Sequence, residues 1–110
     1  MKKIILVLVV LAFLTGRGFC HPPTDIVITV SGIAVDVIVM HAVSAPKTHY
    51  IDDIAVSVNG KEMITQKFIM QTEAALQRAV YVIPSLKKGD KIEVEADCNK
   101  SGKLKKSITI

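Results

Sequence analysis

Apolar and polar residues alternate along most of the chain, and the pattern is sharpest between residues 91 and 98. Ile92, Val94, Ala96 and Cys98 fall on one side of this segment, and charged residues fall on the other. Because successive side chains of a strand point to opposite faces, the alternation predicts a strand whose core-facing row ends at Cys98. Such a cysteine is either a small buried hydrophobe or a thiolate that points into a pocket at the rim of the domain.

Seven short stretches that alternate or are rich in β-branched residues predict strands. They are residues 25–30, 33–40, 54–58, 62–70, 75–83, 91–98 and 104–110. Turn sequences such as Asn59-Gly60 separate them, since both residues tolerate a positive φ. The composition of 71–79 also permits a helical turn, but we predict a loop that leads into a strand. The expected fold class is therefore an all-β, immunoglobulin-like antiparallel β-sandwich of about seven strands.

The first 20 residues have the features of a secretory signal peptide. Lys2 and Lys3 precede an apolar run over residues 4–14, and small residues stand near the end of the segment. The run is shorter than the roughly 20 apolar residues that a membrane-spanning helix needs. We predict cleavage after Cys20, with lipidation of Cys20 as the alternative. The domain would then cover residues 21–110 of an exported protein, periplasmic or secreted, with no stable membrane span.

Charge says little about the partners of the predicted domain. The first 20 residues hold three of the 14 basic residues and none of the 10 acidic ones, which leaves 11 against 10. A lysine cluster remains near the C-terminus, at positions 100, 103, 105 and 106. It is typical of a solvated edge strand, because lysines discourage pairing with another chain. No aromatic residues accompany the lysines, so we do not expect a nucleic-acid partner.

Three histidines and one cysteine are the residues of the predicted domain that are best suited to chemistry. They are His21, His41, His49 and Cys98. Imidazole and thiolate ligands suit iron, copper or zinc, and a lone cysteine in an exported protein indicates a reactive, intermolecular or metal-bound thiol. Their spacing matches no fixed local motif. The adjacent carboxylates Asp52 and Asp53 would point to opposite faces of a strand, so we expect a bulge or a solvated edge there.

Short motifs that extend over nearly the whole predicted domain add to this interpretation. They are His21-Pro22-Pro23, His49-Tyr50-Ile51, Asn59-Gly60-Lys61, and the segment 87–94 that leads to Cys98-Asn99 and Gly102. Together they resemble the iron-binding domain of the superoxide reductase (desulfoferrodoxin) family. The resemblance implies a mononuclear ferrous (Fe2+) centre with four histidine nitrogens in a plane, an axial cysteine sulfur and a sixth position open to superoxide.

The resemblance implies metal-binding roles for His21, His41, His49 and Cys98. Ser101 stands where the family has its fourth histidine, so the implied site has one imidazole fewer. Lys47 lies near the position of a family lysine, one place out of register. We expect Lys47 either to steer superoxide by its charge and help to protonate a peroxide, or to be a solvated loop residue.

Three functions from different classes are compatible with these residues. The first is a superoxide reductase-like enzyme with ferrous iron, whose electron donor is external because the sequence has no four-cysteine rubredoxin segment. The second is a non-catalytic exported module that binds iron, copper or zinc. In that module, cleavage before His21 would expose an amine and an imidazole that chelate copper. The third is a protein-interaction β-sandwich without a metal, and a homo-oligomer is compatible with all three.

Overall fold

The structure is a computed structural model, and it describes residues 21–110. The predicted signal peptide over residues 1–20, its cleavage site and the alternative lipidation of Cys20 lie outside the described residues. The described part of the chain forms seven strands, whose ends lie within three residues of the predicted ones. They are β1 (Asp25–Ser31), β2 (Ala34–Met40), β3 (Ile51–Val58), β4 (Lys61–Lys67), β5 (Leu76–Val82), β6 (Lys91–Cys98) and β7 (Lys103–Thr109).

The strands form two antiparallel sheets with an apolar core between them. One sheet has the order β1-β2-β5, and the other has the order β4-β3-β6-β7. The predicted all-β, immunoglobulin-like β-sandwich is therefore confirmed. Segment 71–75 is a loop that leads into β5, also as predicted. Residues 21–110 contain no helix that is long and apolar enough to cross a bilayer.

The core consists of the inward-facing rows of the central strands. In β2, Val35, Val37 and Val39 are fully buried, and the alternating residues of β6 are buried in the same way. Burial of one such side chain stabilises the fold by roughly 1.5–3 kcal/mol. The alternation predicted for residues 91–98 is confirmed, with Cys98 at the buried end of the row.

A bulge at the start of β3 sets its register against β6. Ile51 pairs with Cys98, and the register then shifts before Asp53. Because of the bulge, Ile51 and Ile54 both point into the core although they are three positions apart. We expected either a bulge or a solvated edge at Asp52 and Asp53, and the structure shows a bulge there. The pairing of Ile51 with Cys98 also brings the chain that precedes β3 alongside the end of β6.

The apolar row of β5 faces solvent. Val80 and Val82 are 59% and 62% exposed, whereas Gln77 and Tyr81 are buried. Pairing with β2 decides this orientation, since Tyr81 is the partner of the buried Val35. Alternation in a sequence shows which residues share a face, but it does not show which face packs on the core.

The lysines of β7 lie on an edge strand and make ion pairs with neighbouring strands. Lys105 Nζ lies 3.7 Å from Glu93 and 3.6 Å from Glu95. Lys106 Nζ lies 2.9 Å from Asp25 of β1, and this hydrogen bond lowers the pKa of the carboxyl group. Ion pairs between exposed side chains add little to stability. The interpretation as a solvated edge strand is therefore confirmed for Lys103, Lys105 and Lys106, whereas Lys100 lies in the loop before β7.

Candidate metal centre

Several rows of inward-facing residues end at the same end of the sandwich. His41 follows β2 and continues its buried row. His49 precedes β3 in the row of Ile51, and Cys98 closes the row of β6. His21 lies just before β1, whose first residue pairs with the last residue of β2. We call the group formed by His21, His41, His49 and Cys98 the histidine end.

Three side chains of the histidine end converge closely. One potential ligand atom from each of His41, His49 and Cys98 lies within 4.8 Å of the other two. His41 is fully buried and Cys98 is 6% exposed. With metal–ligand bonds of about 2.0–2.3 Å, two ligand atoms of one ion can be at most about 4.6 Å apart. The observed separations are close to that limit, so these three residues could hold one metal ion.

The ring of His49 has the properties of a potential metal ligand. Its Nε2 is buried and has no hydrogen-bond partner within residues 21–110. Burial lowers the pKa of His49, and electrostatic interactions with His41, His21 and Lys100 lower it further. The neutral ring offers a lone pair for coordination. A divalent cation therefore fits the donor atoms, because it would give the unpartnered nitrogen a partner.

His21 lies beside this cluster but directs its nitrogens elsewhere. Its ring centroid is 5.0 Å from that of His41 and 5.6 Å from that of His49. Its Nε2 lies 3.0 Å from the carbonyl oxygen of Ala42, and its Nδ1 lies 3.0 Å from that of Pro22. A metal would have to replace at least one of these contacts. The role of His21 as a ligand stays a prediction.

The loop after β6 shapes the surroundings of the cysteine. The backbone N–H of Cys98 donates to the carbonyl of Gly102 at 2.9 Å, and the N–H of Lys100 donates to Cys98 Sγ at 3.4 Å. Gly102 has φ +77°, and a Cβ there would lie 3.1 Å from Pro22 Cβ. A glycine is therefore required for the loop to pack against the segment that carries His21. The N–H of Lys100 complements negative charge on the sulfur.

Asn99 holds the loop that precedes β3 against the end of β6. Its Oδ1 accepts a hydrogen bond from the N–H of Tyr50 at 2.9 Å, and its Nδ2 donates to the carbonyl of Thr48 at 3.0 Å. Its own N–H donates to the carbonyl of Tyr50 at 3.0 Å. These bonds fix the two residues on either side of His49. The side chain next to Cys98 in the sequence thus positions a second candidate ligand beside it.

Lys47 lies on an exposed turn of the loop between β2 and β3. The N–H groups of Thr48 and His49 both donate to the carbonyl of Ala45, at 3.0 and 2.9 Å, and these bonds close the turn. Lys47 is exposed to solvent and lies two positions before His49 in the sequence. Its catalytic role stays a prediction. Ser101, which the motif resemblance aligns with a fourth histidine, is half-buried in the loop after Cys98.

Comparison with solved structures supports the resemblance in the fold. A superoxide reductase (1Fe-SOR) from Giardia intestinalis superposes with a TM-score of 0.61 and 22% sequence identity, covering 84% of this chain and 99% of that one. The two proteins share one fold. No family model matches the sequence, and no curated protein matches it. The β-sandwich fold predicted from the strand pattern is thus confirmed, and it carries a His/His/Cys cluster that could bind a metal.

Sequence reasoning missed Gln71, a buried residue of the loop between β4 and β5. Gln71 is 1% exposed, and its Oε1 lies 2.8 Å from Nδ1 of His41. Hydrophobic periodicity could not reveal it, because a loop has no fixed period. A long polar residue in an otherwise unassigned loop is a weak signal, and only the fold shows that it reaches a histidine.

A second polar cluster lies on the outer face of the larger sheet and has a different character. A shallow groove there is lined by Ala55, Ser57, Glu62, Glu93, Glu95 and Lys105. Lys105 of β7 makes ion pairs with both Glu93 and Glu95. The groove is open and polar, and Lys105 offsets part of the charge of its three glutamates. We interpret it as a solvated sheet face and assign the chemistry of the protein to the histidine end.

Proposed function

We propose that this chain is an exported, mononuclear iron protein of superoxide reductase type. In this proposal His41, His49 and Cys98 hold one ferrous ion, and His21 is a further candidate ligand beside them. The observation that carries the proposal is the convergence of three ligand atoms within 4.8 Å of one another. The shared fold with a superoxide reductase supports it.

The donor set supports a soft or borderline metal. Thiolate and imidazole favour iron, copper and zinc over magnesium or calcium, which prefer oxygen ligands. A thiolate also donates electron density to iron and tunes its reactivity. When bound, ferrous iron would supply the one electron that converts superoxide, with two protons, to hydrogen peroxide. An external one-electron donor would restore the ferrous state.

The protein's own contribution is to bind the ion, attract the substrate and move protons. Lys47 and Lys100 are both exposed on loops next to candidate ligands. Their positive charges would attract the superoxide anion and raise its local concentration. Lys47 is also the candidate proton donor to the reduced oxygen species.

The serine at position 101 sets a limit on the proposed activity. A serine hydroxyl is a poor ligand for ferrous iron compared with imidazole. With Ser101 in this place, the ion would have fewer protein ligands and more exchangeable positions. We therefore propose that the protein reduces superoxide more slowly than a site with four histidines.

The direct test is to supply Fe(II) to the purified protein without oxygen and to count iron per chain. The iron-bound protein is then mixed with superoxide generated by pulse radiolysis. We expect one iron per chain, faster loss of superoxide than the spontaneous rate, and hydrogen peroxide as product. Iron-bound protein that leaves the spontaneous rate unchanged would refute the enzymatic proposal. Failure to bind any metal would refute the metal site as well.

A non-catalytic metal-binding module is the second candidate, and the same donor set supports it because it also suits copper. Two imidazoles and one thiolate are also the equatorial ligands of trigonal copper electron-transfer sites. Titration with Cu(II) separates the candidates, because a copper–thiolate bond gives an intense visible absorption band. N-terminal sequencing of the exported protein tests the copper chelate at His21. Any other N-terminal residue excludes that chelate.

A further inference from the structure

The side chain of Gln71 is fully engaged with the surroundings of His41. Its Nε2 donates to the carbonyl oxygen of His41 at 2.7 Å and to that of Glu73 at 2.9 Å. Its Oε1 faces Nδ1 of His41 at 2.8 Å. The backbone N–H of Gln71 also donates to the carbonyl of Pro46 at 3.0 Å, in the loop that carries His49.

These contacts determine which way the amide group points. A carbonyl oxygen can only accept a hydrogen bond, so the two carbonyls of His41 and Glu73 must face the NH2 group of the amide. The amide oxygen must then face the ring of His41. An amide oxygen also only accepts, which means that Nδ1 of His41 must carry the proton.

We infer that Gln71 is a positioning residue that holds His41 in its Nδ1–H tautomer. When that ring is neutral, its lone pair lies on Nε2, the nitrogen remaining for a metal. This inference deepens the proposed function and rests on it for the role of the ion. The tautomer itself follows from the contacts of Gln71 and needs no metal.

One contact of Nε2 opposes the neutral Nδ1–H tautomer unless a cation lies beside it. In the Nδ1–H tautomer, Nε2 is an acceptor, and it lies 3.3 Å from another acceptor, the carbonyl oxygen of His21. Two lone pairs that face each other give no hydrogen bond. A cation beside Nε2 of His41 would favour this arrangement. The same cation would give the unpartnered Nε2 of His49 a partner. The two histidines would then present equivalent nitrogens to one ion.

Hydrogen bonds to metal-binding histidines affect affinity through the tautomer and the ring orientation. Removal of such a partner typically lowers metal affinity or activity by about 10–100-fold. Two near-isosteric variants isolate the effect. Gln71→Met and Gln71→Glu both lose the two N–H donors, but only Gln71→Glu keeps an acceptor for Nδ1. A difference between them reports the bond to the ring rather than general damage to the loop.

The first measurement is nitrogen-15 NMR of the imidazole rings in the metal-free protein. We expect His41 of the wild type to carry its proton on Nδ1, and Gln71→Met to populate both tautomers. A proton on Nε2 in the wild type would overturn the inference. So would a Gln71→Met variant that keeps Nδ1–H fully populated. Because this measurement needs no metal, it still decides the tautomer if the proposed metal site fails.

The second measurement is the dissociation constant for Co(II) or Zn(II), with folding of each variant checked by thermal melting. We expect Gln71→Met to bind about 10–100-fold more weakly than the wild type and Gln71→Glu to stay within a few-fold of it. Equal affinity in all three proteins would overturn the positioning role. If Gln71→Met does not fold, the NMR result on the wild type and the affinity of Gln71→Glu decide the question.

Discussion

The two ends of the β3–β6 strand pair are both held by an asparagine, but they differ in how completely their polar groups are satisfied. At the histidine end, Asn99 joins the chain before β3 to the end of β6. At the opposite end, Asn59 accepts from the N–H of Lys91 at 2.9 Å and donates to Asp90 at 3.0 Å. Asp90 also accepts from the N–H of Lys87 at 3.0 Å. We call the group Asn59, Lys87, Asp90 and Lys91 the turn end.

In the turn end the buried carboxylate has hydrogen-bond partners on both oxygens. In the histidine end one buried polar atom has no partner among the described residues. Asp90 is 5% exposed, and both of its carboxylate oxygens accept hydrogen bonds. In the histidine end, by contrast, Nε2 of His49 has no partner among the described residues. A buried polar atom without a partner costs about 1–3 kcal/mol. The comparison indicates that the turn end stabilises the fold, and it supports the proposal that the histidine end binds a ligand.

The largest effect is expected for Cys98→Ala, which removes the only thiolate of the candidate site in residues 21–110. Loss of a direct ligand should weaken binding of Fe(II) or Co(II) by at least about 100-fold, beyond the range seen for indirect partners. The fold should lose only about 1 kcal/mol, because the deleted atom is small. Metal titration and thermal melting measure the two quantities. Unchanged affinity in Cys98→Ala would show that the sulfur is not a ligand.

Ser101→His should strengthen metal binding at the histidine end. The motif resemblance aligns Ser101 with the fourth histidine of superoxide reductases, and Ser101 is half-buried in the loop after Cys98. A further imidazole should tighten Fe(II) binding at least about tenfold, equivalent to about 1.4 kcal/mol, and speed the loss of superoxide. The same two assays compare the variant with the wild type. An affinity and a rate equal to those of the wild type would show that the loop does not direct residue 101 to the site.

Much of the fold and part of this site could be predicted from the sequence, because both follow from strand alternation. The row that ends at Cys98 and the bulge at Asp52 and Asp53 were predictable in this way. His41 extends the alternating row of β2, so the same period accounts for its burial, which was not predicted. These features need only local geometry.

Other features depend on tertiary contacts that have no local pattern. The outward orientation of Val80 and Val82 follows from the pairing of β5 with β2. The ring of His21 is turned by contacts in a segment that precedes β1, where no period applies. Gln71 reaches His41 across a loop, and the two are 30 positions apart in the sequence.

A matched pair of asparagine variants tests whether the two ends have separate roles. Asn99→Ala and Asn59→Gly each remove two side-chain hydrogen bonds, and we expect each to cost about 1–3 kcal/mol. Glycine is used at position 59 because its φ is +51°, which alanine would adopt only with strain. Denaturant unfolding measures the cost in each variant.

The metal affinities of the two variants should then diverge. Asn99→Ala should lower affinity by about tenfold, since His49 loses the bonds on both sides of it. Asn59→Gly should bind metal as the wild type does. Equal losses of affinity in both variants would mean that stability alone controls binding, and the distinction between the ends would be wrong.

The smallest effect concerns the pH dependence of the turn end. The hydrogen bond from Asn59, followed by that from the N–H of Lys87, lowers the pKa of Asp90. Its contribution to stability is therefore present above the unfolded value of 3.8 and is lost as the pH falls through the lower folded value. The difference in free energy of unfolding between the wild type and Asp90→Asn should be largest near neutral pH and shrink in acid. A difference that stays constant from about pH 7 to pH 3 would contradict the carboxylate's role.

X-ray absorption at the metal edge tests the central claim most directly, because it reports which atoms surround a bound ion. Zinc is a suitable redox-inert probe, with bonds of about 2.3 Å to sulfur and about 2.0–2.1 Å to imidazole nitrogen. For the zinc-bound wild type we predict one sulfur and at least two imidazole nitrogens in the coordination shell. A shell without sulfur, composed only of oxygen and nitrogen, would contradict a metal centre at His41, His49 and Cys98.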